Sequence, residues 1–359
     1  MIKIGWSLVL EKEKLLIDYE DNKPLYEQFA RSMESLITIL LTTSDIIPHS
    51  VSSRVKDRVS LGKKIEKKDK YSSISEVTDI VGIRIITHYS DEVDQIAKLI
   101  EKEFFVDRDN SVDKRTSLDP DRFGYLSLHY VASLSENRSR LIEYSKFEGI
   151  KLEIQVRSIL QHTWAEIEHD IGYKSKVEVP RIVRRKFSQL AGLLELADEQ
   201  FIHIRDELEE YEKDVKDSIV KTPQNVTFDK VSIYNYLKSS ELVEKIDSEV
   251  ANVANAPLRE LSKDFAGRFI KYLSYFNIET IPKLEKLLSD NHDLILLRSR
   301  DIKATQGSLS KGISVFLLFQ VLASHLETEE EVLDFLDEMG LLSSSERKSF
   351  ASYLFALGK

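Results

Sequence analysis

Apolar residues recur at three- and four-residue steps in the first part of the chain. Between residues 7 and 45 they run from Leu8 to Leu40, and this spacing places them on one side of a helix. Pro48 then breaks the pattern, and a basic segment follows. We therefore predict one or two amphipathic helices over residues 7–45, followed by a helix with a turn over residues 51–70.

Short apolar runs alternate with polar stretches in the middle of the chain. Residues 79–87 are apolar on both faces except at Arg84, which is typical of a buried strand. Residues 105–122 are polar and contain Pro120, so a loop is predicted there. Other predicted elements are helices over 91–104 and 158–171, strands over 126–134, 141–147 and 150–157, and a long helix from Pro180 to about residue 215. This order predicts an α+β fold with a mixed β-sheet flanked by helices.

Helical patterns fill the chain beyond residue 225. The segment Lys221–Asn225 contains Pro223 and reads as a linker. We therefore predict two domains, residues 1–220 and a mostly helical domain over residues 221–359. The helices predicted in the second domain cover residues 231–247, 257–276, 280–290, 293–305, 311–326, 328–338 and 344–357.

Composition excludes several classes of protein. The 359 residues include no Cys, which excludes disulfides, thiolate nucleophiles and Cys-based zinc sites. No apolar run approaches the ~20 residues of a membrane span. The start of the chain becomes charged too early for a signal peptide. We therefore expect a cytoplasmic protein that does not contact membranes.

Charge is distributed unevenly. The net charge of −10 argues against general affinity for nucleic acids. Two segments are nevertheless strongly basic: residues 51–70 carry eight bases and three acids, and residues 174–186 carry six bases and one acid. Basic segments on an acidic protein suit a localised, phosphate-rich ligand better than a long duplex.

Polar and apolar residues alternate over residues 152–157. A strand here would project Glu153, Gln155 and Arg157 from one face. A carboxylate, an amide and a guanidinium in line pack poorly, but they can hold a polyphosphate and a metal ion. An edge strand with a solvated face is the alternative interpretation.

Further motifs accompany this strand. They are Asp79-Ile80-Val81-Gly82-Ile83-Arg84, Gly124-Tyr125-Leu126-Ser127-Leu128-His129, Trp164 to His169, and Tyr173-Lys174. Together with the basic segment around Arg54, these motifs resemble, in order, the synthetase domain of the RelA/SpoT family of alarmone pyrophosphokinases. The resemblance covers roughly residues 50–175, about half of the chain.

The resemblance implies how ATP and metal are bound. Asp79 and Glu153 would be the catalytic carboxylates and would bind Mg²⁺, and Glu153 could also act as general base. Arg54 and Arg84 would sandwich the adenine of ATP, a use suited to planar guanidinium groups. The implied ATP-binding residues are Arg54, Lys56, Ser60, Lys63, Arg84, Gln155 and Arg157.

The acceptor motif departs from that of the alarmone makers. The family stacks the acceptor base on the residue at Tyr125 and places phosphates near His129. Asp121 stands where the family commonly has Lys, and Leu126 where it has Arg. Two bases are thus lost and an acid is gained, each charged contact being worth about 1–3 kcal/mol. This disfavours GTP or GDP as the acceptor.

The altered motif resembles the toxic branch of small alarmone synthetases. That branch transfers pyrophosphate from ATP to the 3′-hydroxyl of the tRNA CCA end and stops translation. The terminal adenosine would stack on Tyr125. The RNA backbone would lie on the basic residues Lys174, Lys176, Arg181, Arg184 and Arg185.

Three acidic or imidazole side chains share one face of the predicted helix 158–171. They are His162, Glu166 and His169. Their spacing differs from that of His-Glu-x-x-His zinc sites, and the family's tryptophan-containing helix accounts for them. We therefore do not expect a metal site on this face.

The second domain suggests a built-in inhibitor. The resemblance extends to the CapRel-like fused toxin–antitoxin type, in which a degenerate zinc-finger-like domain restrains the synthetase until a phage protein, such as a capsid protein, binds. In the restrained state, an aromatic pair plugs the ATP site. Phe350 and Tyr353, or else Tyr272 and Tyr275, are the candidates; core aromatic pairs at helical spacing are the alternative. A self-contained inhibitor favours a monomer.

Three hypotheses follow for function. The first is an autoinhibited tRNA pyrophosphokinase. The second is a (p)ppGpp or (p)ppApp synthetase that uses a free nucleotide acceptor and has a C-terminal regulator. The third, a binding module without catalysis, is disfavoured because Arg54, Lys56, Asp79 and Glu153 are all present.

Overall fold

Two units, residues 1–205 and 206–359, divide the chain. The computed structural model describes residues 2–68, 71–113, 127–174, 180–302 and 307–359. Each unit has its own apolar core. The division between them falls earlier in the chain than the linker predicted at residues 221–225.

A mixed five-stranded sheet forms the centre of the first unit. Its strand order is β1-β2-β5-β4-β3, in which β2 and β5 are parallel and all other neighbours are antiparallel. The elements are α1 (Ile2–Thr43), β1 (Ser50–Val55), α2 (Arg58–Lys68), β2 (Val81–Thr87), α3 (Glu92–Glu103), β3 (Phe104–Asp113), β4 (Leu128–Leu134), α4 (Glu136–Ser139), β5 (Leu152–Ser158), α5 (Ile159–Lys174) and α6 (Arg181–Lys221). The predicted fold class is confirmed.

Helix α1 packs against the sheet and supplies much of the first core. Its buried residues recur at helical spacing, among them Tyr19, Phe29 and Met33, as the sequence pattern predicts. The ring of Phe29 meets that of Phe147 at a centroid distance of 5.2 Å. The side chain of Glu34 also fixes β1, because it accepts hydrogen bonds from the backbone N–H of Ser53 at 3.0 Å and from its hydroxyl at 2.5 Å.

Three predictions for the first unit are wrong. Residues 104–113 form strand β3 instead of a loop, and residues 141–147 contain turns and a short 3₁₀ helix instead of a strand. The basic segment 51–70 begins with most of β1, so Arg54 lies on a strand and not on a helix. An edge strand pairs on one side only and tolerates polar residues, which explains why β3 showed no hydrophobic alternation.

Helices dominate the second unit. The prediction of a mostly helical domain is confirmed, although the predicted helix 231–247 is two helices separated at Ser240, whose side chain caps the second. The elements after α6 are α7 (Lys230–Ser239), α8 (Glu241–Val253), β6 (Leu258–Arg259), α9 (Lys263–Tyr275), α10 (Ile281–Asp290), α11 (His292–Ser299), β7 (Leu309–Ser310), α12 (Ile313–Ser324), α13 (Glu329–Glu338) and α14 (Ser344–Leu357).

The apolar helix α12 lies at the centre of the second core. Its N-terminus is capped from another helix, because the buried carboxylate of Asp247 in α8 accepts hydrogen bonds from the backbone N–H of Gly312 at 2.5 Å and of Ser314 at 2.8 Å. Gly312 has φ +84°, a left-handed conformation that favours glycine. None of the described helices is both long and apolar enough to cross a membrane.

Candidate active site

Four strands bring the predicted polar side chains to one face of the sheet. Directly paired residues of neighbouring strands share a face, and the register places Gly82 between Arg54 and Glu153. Two residues further along β5, Gln155 lies between Arg84 and His129 in the same way. The two rows are Arg54–Gly82–Glu153 and Arg84–Gln155–His129. The projection of Glu153, Gln155 and Arg157 from one side of β5 follows the predicted alternation.

A chain of hydrogen bonds connects the side chains on this face. The Nδ1 atom of His129 lies 3.2 Å from the Oε1 atom of Glu153. The amide of Gln155 donates to the other oxygen of Glu153 at 2.9 Å, and its own oxygen accepts from Arg157 at 3.0 Å. At the other end, the Ser127 hydroxyl lies 2.7 Å from the Nε2 atom of His129. Each side chain is therefore held by its neighbours before any ligand arrives.

These contacts fix the charge state of Glu153. Burial alone would raise its pKa, but the hydrogen bond and charge of His129, the amide of Gln155 and the charge of Arg54 together lower the pKa to about 2. Glu153 is thus a carboxylate throughout the neutral range. Since an ionised carboxylate only accepts hydrogen bonds, Nδ1 of His129 is the donor in their contact.

Gly82 gives Arg54 its place on the face. A Cβ atom at Gly82 would lie 3.3 Å from Nε and 3.4 Å from Cγ of Arg54, so the arginine side chain crosses the sheet directly over the glycine. A depression of about 220 Å³ opens beside it, lined by Arg54, Gly82, Arg84 and Gln155 among others. The glycine therefore leaves room for the guanidinium to lie flat.

A second cavity of about 330 Å³ continues from this depression toward α5. Arg54, Arg84 and Arg157 line it from the sheet, and Glu166 and His169 line it from the helix. The Arg84 guanidinium lies 3.1 Å from the Glu166 carboxylate. The two arginines predicted to sandwich adenine thus share one pocket of positive charge.

Asp79 precedes β2 and contacts two lysines. Its carboxylate lies 3.2 Å from Nζ of Lys56 and 2.7 Å from Nζ of Lys64. Lys63, which is among the predicted ATP-binding residues, is exposed, while its neighbour Lys64 is half-buried beside Asp79. A helix turns by about 100° per residue, so the two lysines leave α2 in different directions. Lys64 therefore lies beside Asp79, and the role of Lys63 in binding ATP stays a prediction.

Contacts from α1 and the chain before β2 hold Lys56. The buried hydroxyl of Tyr19 donates a hydrogen bond to the Lys56 carbonyl, and the Lys56 N–H donates to the Ile80 carbonyl at 2.8 Å. Ser60, predicted to bind ATP, is exposed in the first turn of α2, where its N–H donates to the Asp57 carboxylate at 2.9 Å.

The predicted acceptor residues are described only in part. Arg181, Arg184 and Arg185 lie on the exposed first turns of α6. Tyr125, Lys176 and the side chain of Lys174 lie outside the described residues. The roles assigned to these residues stay predictions.

The predicted inhibitory aromatic residues lie in the second unit. The rings of Phe350 and Tyr353 are stacked at 5.9 Å with an interplanar angle of 14°, and the Arg298 guanidinium lies 5.3 Å from each ring. The Tyr353 hydroxyl donates to the Asp301 carboxylate at 2.5 Å. Tyr272, from the alternative pair, is only 4% exposed and stacks on a core phenylalanine.

Metal ligands are sparse in the described part of the chain. It contains no group of three or more His, Cys, Asp or Glu side chains arranged to hold a metal ion. Among these described residues, His162, Glu166 and His169 do not form such a group. A Mg²⁺ site that uses one or two carboxylates together with substrate phosphates does not require such a group, so the ionised Glu153 and the carboxylate of Asp79 fit that donor set.

Three residues beside the site were not among the predicted site residues. Lys64 belongs to the same run of basic residues as Lys63, and the two differ only in the direction in which their side chains leave the helix. Ser127 was part of a recognised motif, but its contact with His129 depends on the strand geometry. The helical spacing presents Glu166 only as a candidate metal ligand, whereas the structure pairs it with Arg84.

Comparison with known proteins identifies the first unit. Residues 53–178 match the region found in RelA/SpoT proteins. The chain is 27% identical over 161 residues to the GTP pyrophosphokinase YwaC of Bacillus subtilis, covering 44% of this chain and 73% of that protein. It is 26% identical over 203 residues to the GTP pyrophosphokinase YjbM of the same organism, covering 55% of this chain and 90% of that protein.

Solved structures of small alarmone synthetases are also similar. Small alarmone synthetase 1 from Bacillus subtilis matches with a TM-score of 0.45 and 25% identity, covering 54% of this chain and 98% of that chain. Its complex with AMPCPP matches with a TM-score of 0.42 and 24% identity, with the same coverage. The family match and the two Bacillus relatives support a RelA/SpoT-type synthetase in this part of the chain, which is an enzyme of the pyrophosphokinase class.

Proposed function

We propose that this RelA/SpoT-type pyrophosphokinase transfers pyrophosphate from ATP to the 3′-hydroxyl of the tRNA CCA end and is restrained by its second unit. The observation that carries the catalytic part is the ordered polar face of the sheet. There an ionised Glu153, bonded to His129, shares a row of the sheet with Arg54, which lines a pocket together with Arg84.

ATP binds, in this proposal, with its adenine between Arg54 and Arg84. Planar guanidinium groups stack on aromatic faces, and both groups line the cavity beside Gln155. The triphosphate is neutralised by Lys56, Lys64 and Arg157. The two lysines now contact Asp79, so binding would exchange part of that ion pairing for contacts to phosphate.

The reaction transfers the pyrophosphoryl group, made of the β- and γ-phosphates of ATP, to the acceptor. The acceptor 3′-oxygen attacks the β-phosphorus of ATP, the bond from that phosphorus to the α,β-bridging oxygen breaks, and AMP leaves. Glu153 accepts the hydroxyl proton as attack proceeds. Its low pKa makes it a weak base before attack. Proton transfer to Glu153 therefore becomes favourable only as the acceptor hydroxyl becomes more acidic during bond formation. The hydrogen bond from His129 holds the accepting carboxylate in place.

Asp79 and Glu153 would hold Mg²⁺ together with the ATP phosphates. The ion would neutralise charge on the transferred group. The lysines beside Asp79 serve the same need, since they bring positive charge to the same edge of the sheet.

The tRNA acceptor is supported by the composition of the acceptor motif. Asp121 and Leu126 replace the bases that would grip a free guanosine nucleotide. Exposed Arg181, Arg184 and Arg185 offer a surface for an RNA backbone. The second candidate is an alarmone synthetase with a GTP or GDP acceptor, which is favoured by the names of the two Bacillus relatives.

The second unit is proposed to act as a regulator that a phage protein releases, in a monomeric protein. Phe350 and Tyr353 are the stronger inhibitory pair, because Tyr272 is a core residue. Their present contacts with Arg298 and Asp301 would have to be exchanged if their rings entered an ATP site.

The decisive experiment follows ATP labelled at the β-phosphate. Purified full-length protein and a chain ending at residue 225 are each offered deacylated tRNA, GTP or GDP, with the Glu153→Gln variant of each as the matched control for contaminating activity. Label in the 3′ end of tRNA that is absent with Glu153→Gln supports the proposal. Label only in guanosine nucleotides would reject the tRNA acceptor and leave the pyrophosphokinase assignment intact.

A further inference from the structure

A cleft of about 550 Å³ opens in the second unit between α7, α9 and the turn that follows α13. Four cations line it, Lys230, Lys263, Arg268 and Lys271, against one acid, Asp264. The chain as a whole carries a net charge of −10. The cleft is therefore a local concentration of positive charge on an acidic protein.

Most of these cations are not neutralised. Lys263 lies 3.2 Å from the Glu212 carboxylate. Among the described residues, Lys230, Arg268 and Lys271 form no ion pair. Arg268 and Lys271 lie one helical turn apart on α9, where like charges disfavour each other unless an anion separates them.

The backbone shapes the cleft around these side chains. A Cβ atom at Gly267 would lie 3.5–3.6 Å from three methylene carbons of Lys230, so the lysine stem packs across α9 at the glycine. Arg268 lies near the hydroxyl of Tyr272: burial raises the pKa of that hydroxyl, and the arginine charge opposes the rise. Both contacts involve residues of α9, Gly267 in the first and Tyr272 in the second, and this helix therefore helps to fix the positions of the charges.

The opposite wall is apolar. Met339 and Leu341 are half-buried at the end of α13. Gly340 between them has φ +64°, and no atom lies within 4 Å of where its Cβ would be. A flat apolar group therefore has space beside a flexible Met and a Leu side chain.

We propose that this cleft binds a nucleoside polyphosphate, with phosphates on Lys230, Arg268 and Lys271 and the base against Met339 and Leu341. The volume falls within the range of small-ligand pockets. The same phosphate chemistry could be supplied by the backbone of an RNA, which the test distinguishes. The inference concerns the second unit alone and stands independently of the acceptor used by the first.

The test counts nucleotide sites on the full-length protein by calorimetry with α,β-methylene ATP. Arg268→Gln/Lys271→Gln is expected to bind one nucleotide fewer than the natural chain, whether or not the site in the first unit is open. The matched control, Lys245→Gln/Lys286→Gln, removes two exposed charges outside the cleft and should bind as many nucleotides as the natural chain. Arg54→Ala should weaken only the site in the first unit.

Inorganic triphosphate and deacylated tRNA complete the comparison. Weaker binding of triphosphate to Arg268→Gln/Lys271→Gln than to the control supports a phosphate site, with thermal melting verifying that both variants fold. A single nucleotide site in the natural chain that both variants retain would overturn the proposal. So would a loss of tRNA binding in the cleft variant with an unchanged number of nucleotide sites.

Discussion

Glu153 shows how neighbours decide what a side chain can do. Alone in a buried place, a carboxyl group tends to stay protonated. Here His129, Gln155 and Arg54 outweigh burial and lower the pKa to about 2. The sequence alternation predicted that Glu153 and Gln155 share a face, but His129 comes from another strand, so the charge state depends on strand pairing that no local pattern reveals.

The shifted pKa of Glu153 predicts a dependence of stability on pH. The folded pKa of about 2 lies below the ordinary value of 4.5, so ionised Glu153 stabilises the fold above pH 4.5. This contribution, on the order of 3 kcal/mol, is lost as the pH falls from about 4.5 to about 2. Urea unfolding of the first unit at pH 7 and pH 3 should show a larger loss for the natural chain than for Glu153→Gln. Equal losses would contradict the low pKa.

Gly82→Ala should weaken ATP binding. The new methyl group would lie 3.3 Å from Nε of Arg54, and the guanidinium would have to move away from the place proposed for the adenine. Losing a cation–π contact of about 0.5–1 kcal/mol raises KM for ATP roughly two- to fivefold, with kcat less affected.

Gly62→Ala in α2 is the matched control for that substitution. A Cβ atom there would meet its nearest neighbour at 3.7 Å, an ordinary contact. KM for ATP should therefore stay unchanged. Equal increases in KM for the two variants would mean that Gly82 does not act through Arg54.

Elements with a clear period were predicted best. Helix α1 and strands β2 and β5 have one apolar side or an apolar run, and each was found close to its predicted bounds. Residues 141–147 contain enough apolar residues to suggest a strand, yet Ile142 is 91% exposed and Phe147 is buried. Because these side chains do not alternate between two faces, composition alone misled the prediction.

Asp247 should stabilise α12 through its two backbone hydrogen bonds. Asp247→Ala would leave the buried N–H groups of Gly312 and Ser314 without their acceptor. The expected loss is about 2–4 kcal/mol in the unfolding of the second unit, and Asp247→Asn should lose less because its carbonyl still accepts. Denaturant unfolding measures both. Glu244→Ala, at an exposed position on the same helix, should change little; a similar loss there would indicate a general effect on α8.

The whole molecule combines a synthetase domain with a helical unit that the family match does not reach. The fold and enzyme class of the first could be predicted, because its motifs are short and carry charged residues. For the second, the sequence predicted helices but not their contacts. The basic cleft joins residues of α7, α9 and the turn after α13, and no motif links those segments along the chain.

Removing the second unit should release the activity of the first. If that unit restrains the synthetase, a chain ending at residue 225, which retains all of α6, should arrest growth when expressed, whereas the full-length chain should not. The same fragment with Glu153→Gln should be harmless, which separates catalysis from toxicity caused by misfolding. Growth unaffected by a soluble fragment that binds ATP would reject the inhibitory role.

The order of the two units along the chain determines which of them is synthesised first in each new molecule. The synthetase strands end at residue 158, and the helical unit occupies residues 206–359. At about 5–20 residues per second, a ribosome needs roughly 8–30 s to synthesise those last 154 residues. If the helical unit is the inhibitor proposed above, it cannot act on its own nascent synthetase during this interval. Each round of translation would therefore open a brief period in which a folded first unit is unrestrained, and the rate of translation itself would determine how long that period lasts.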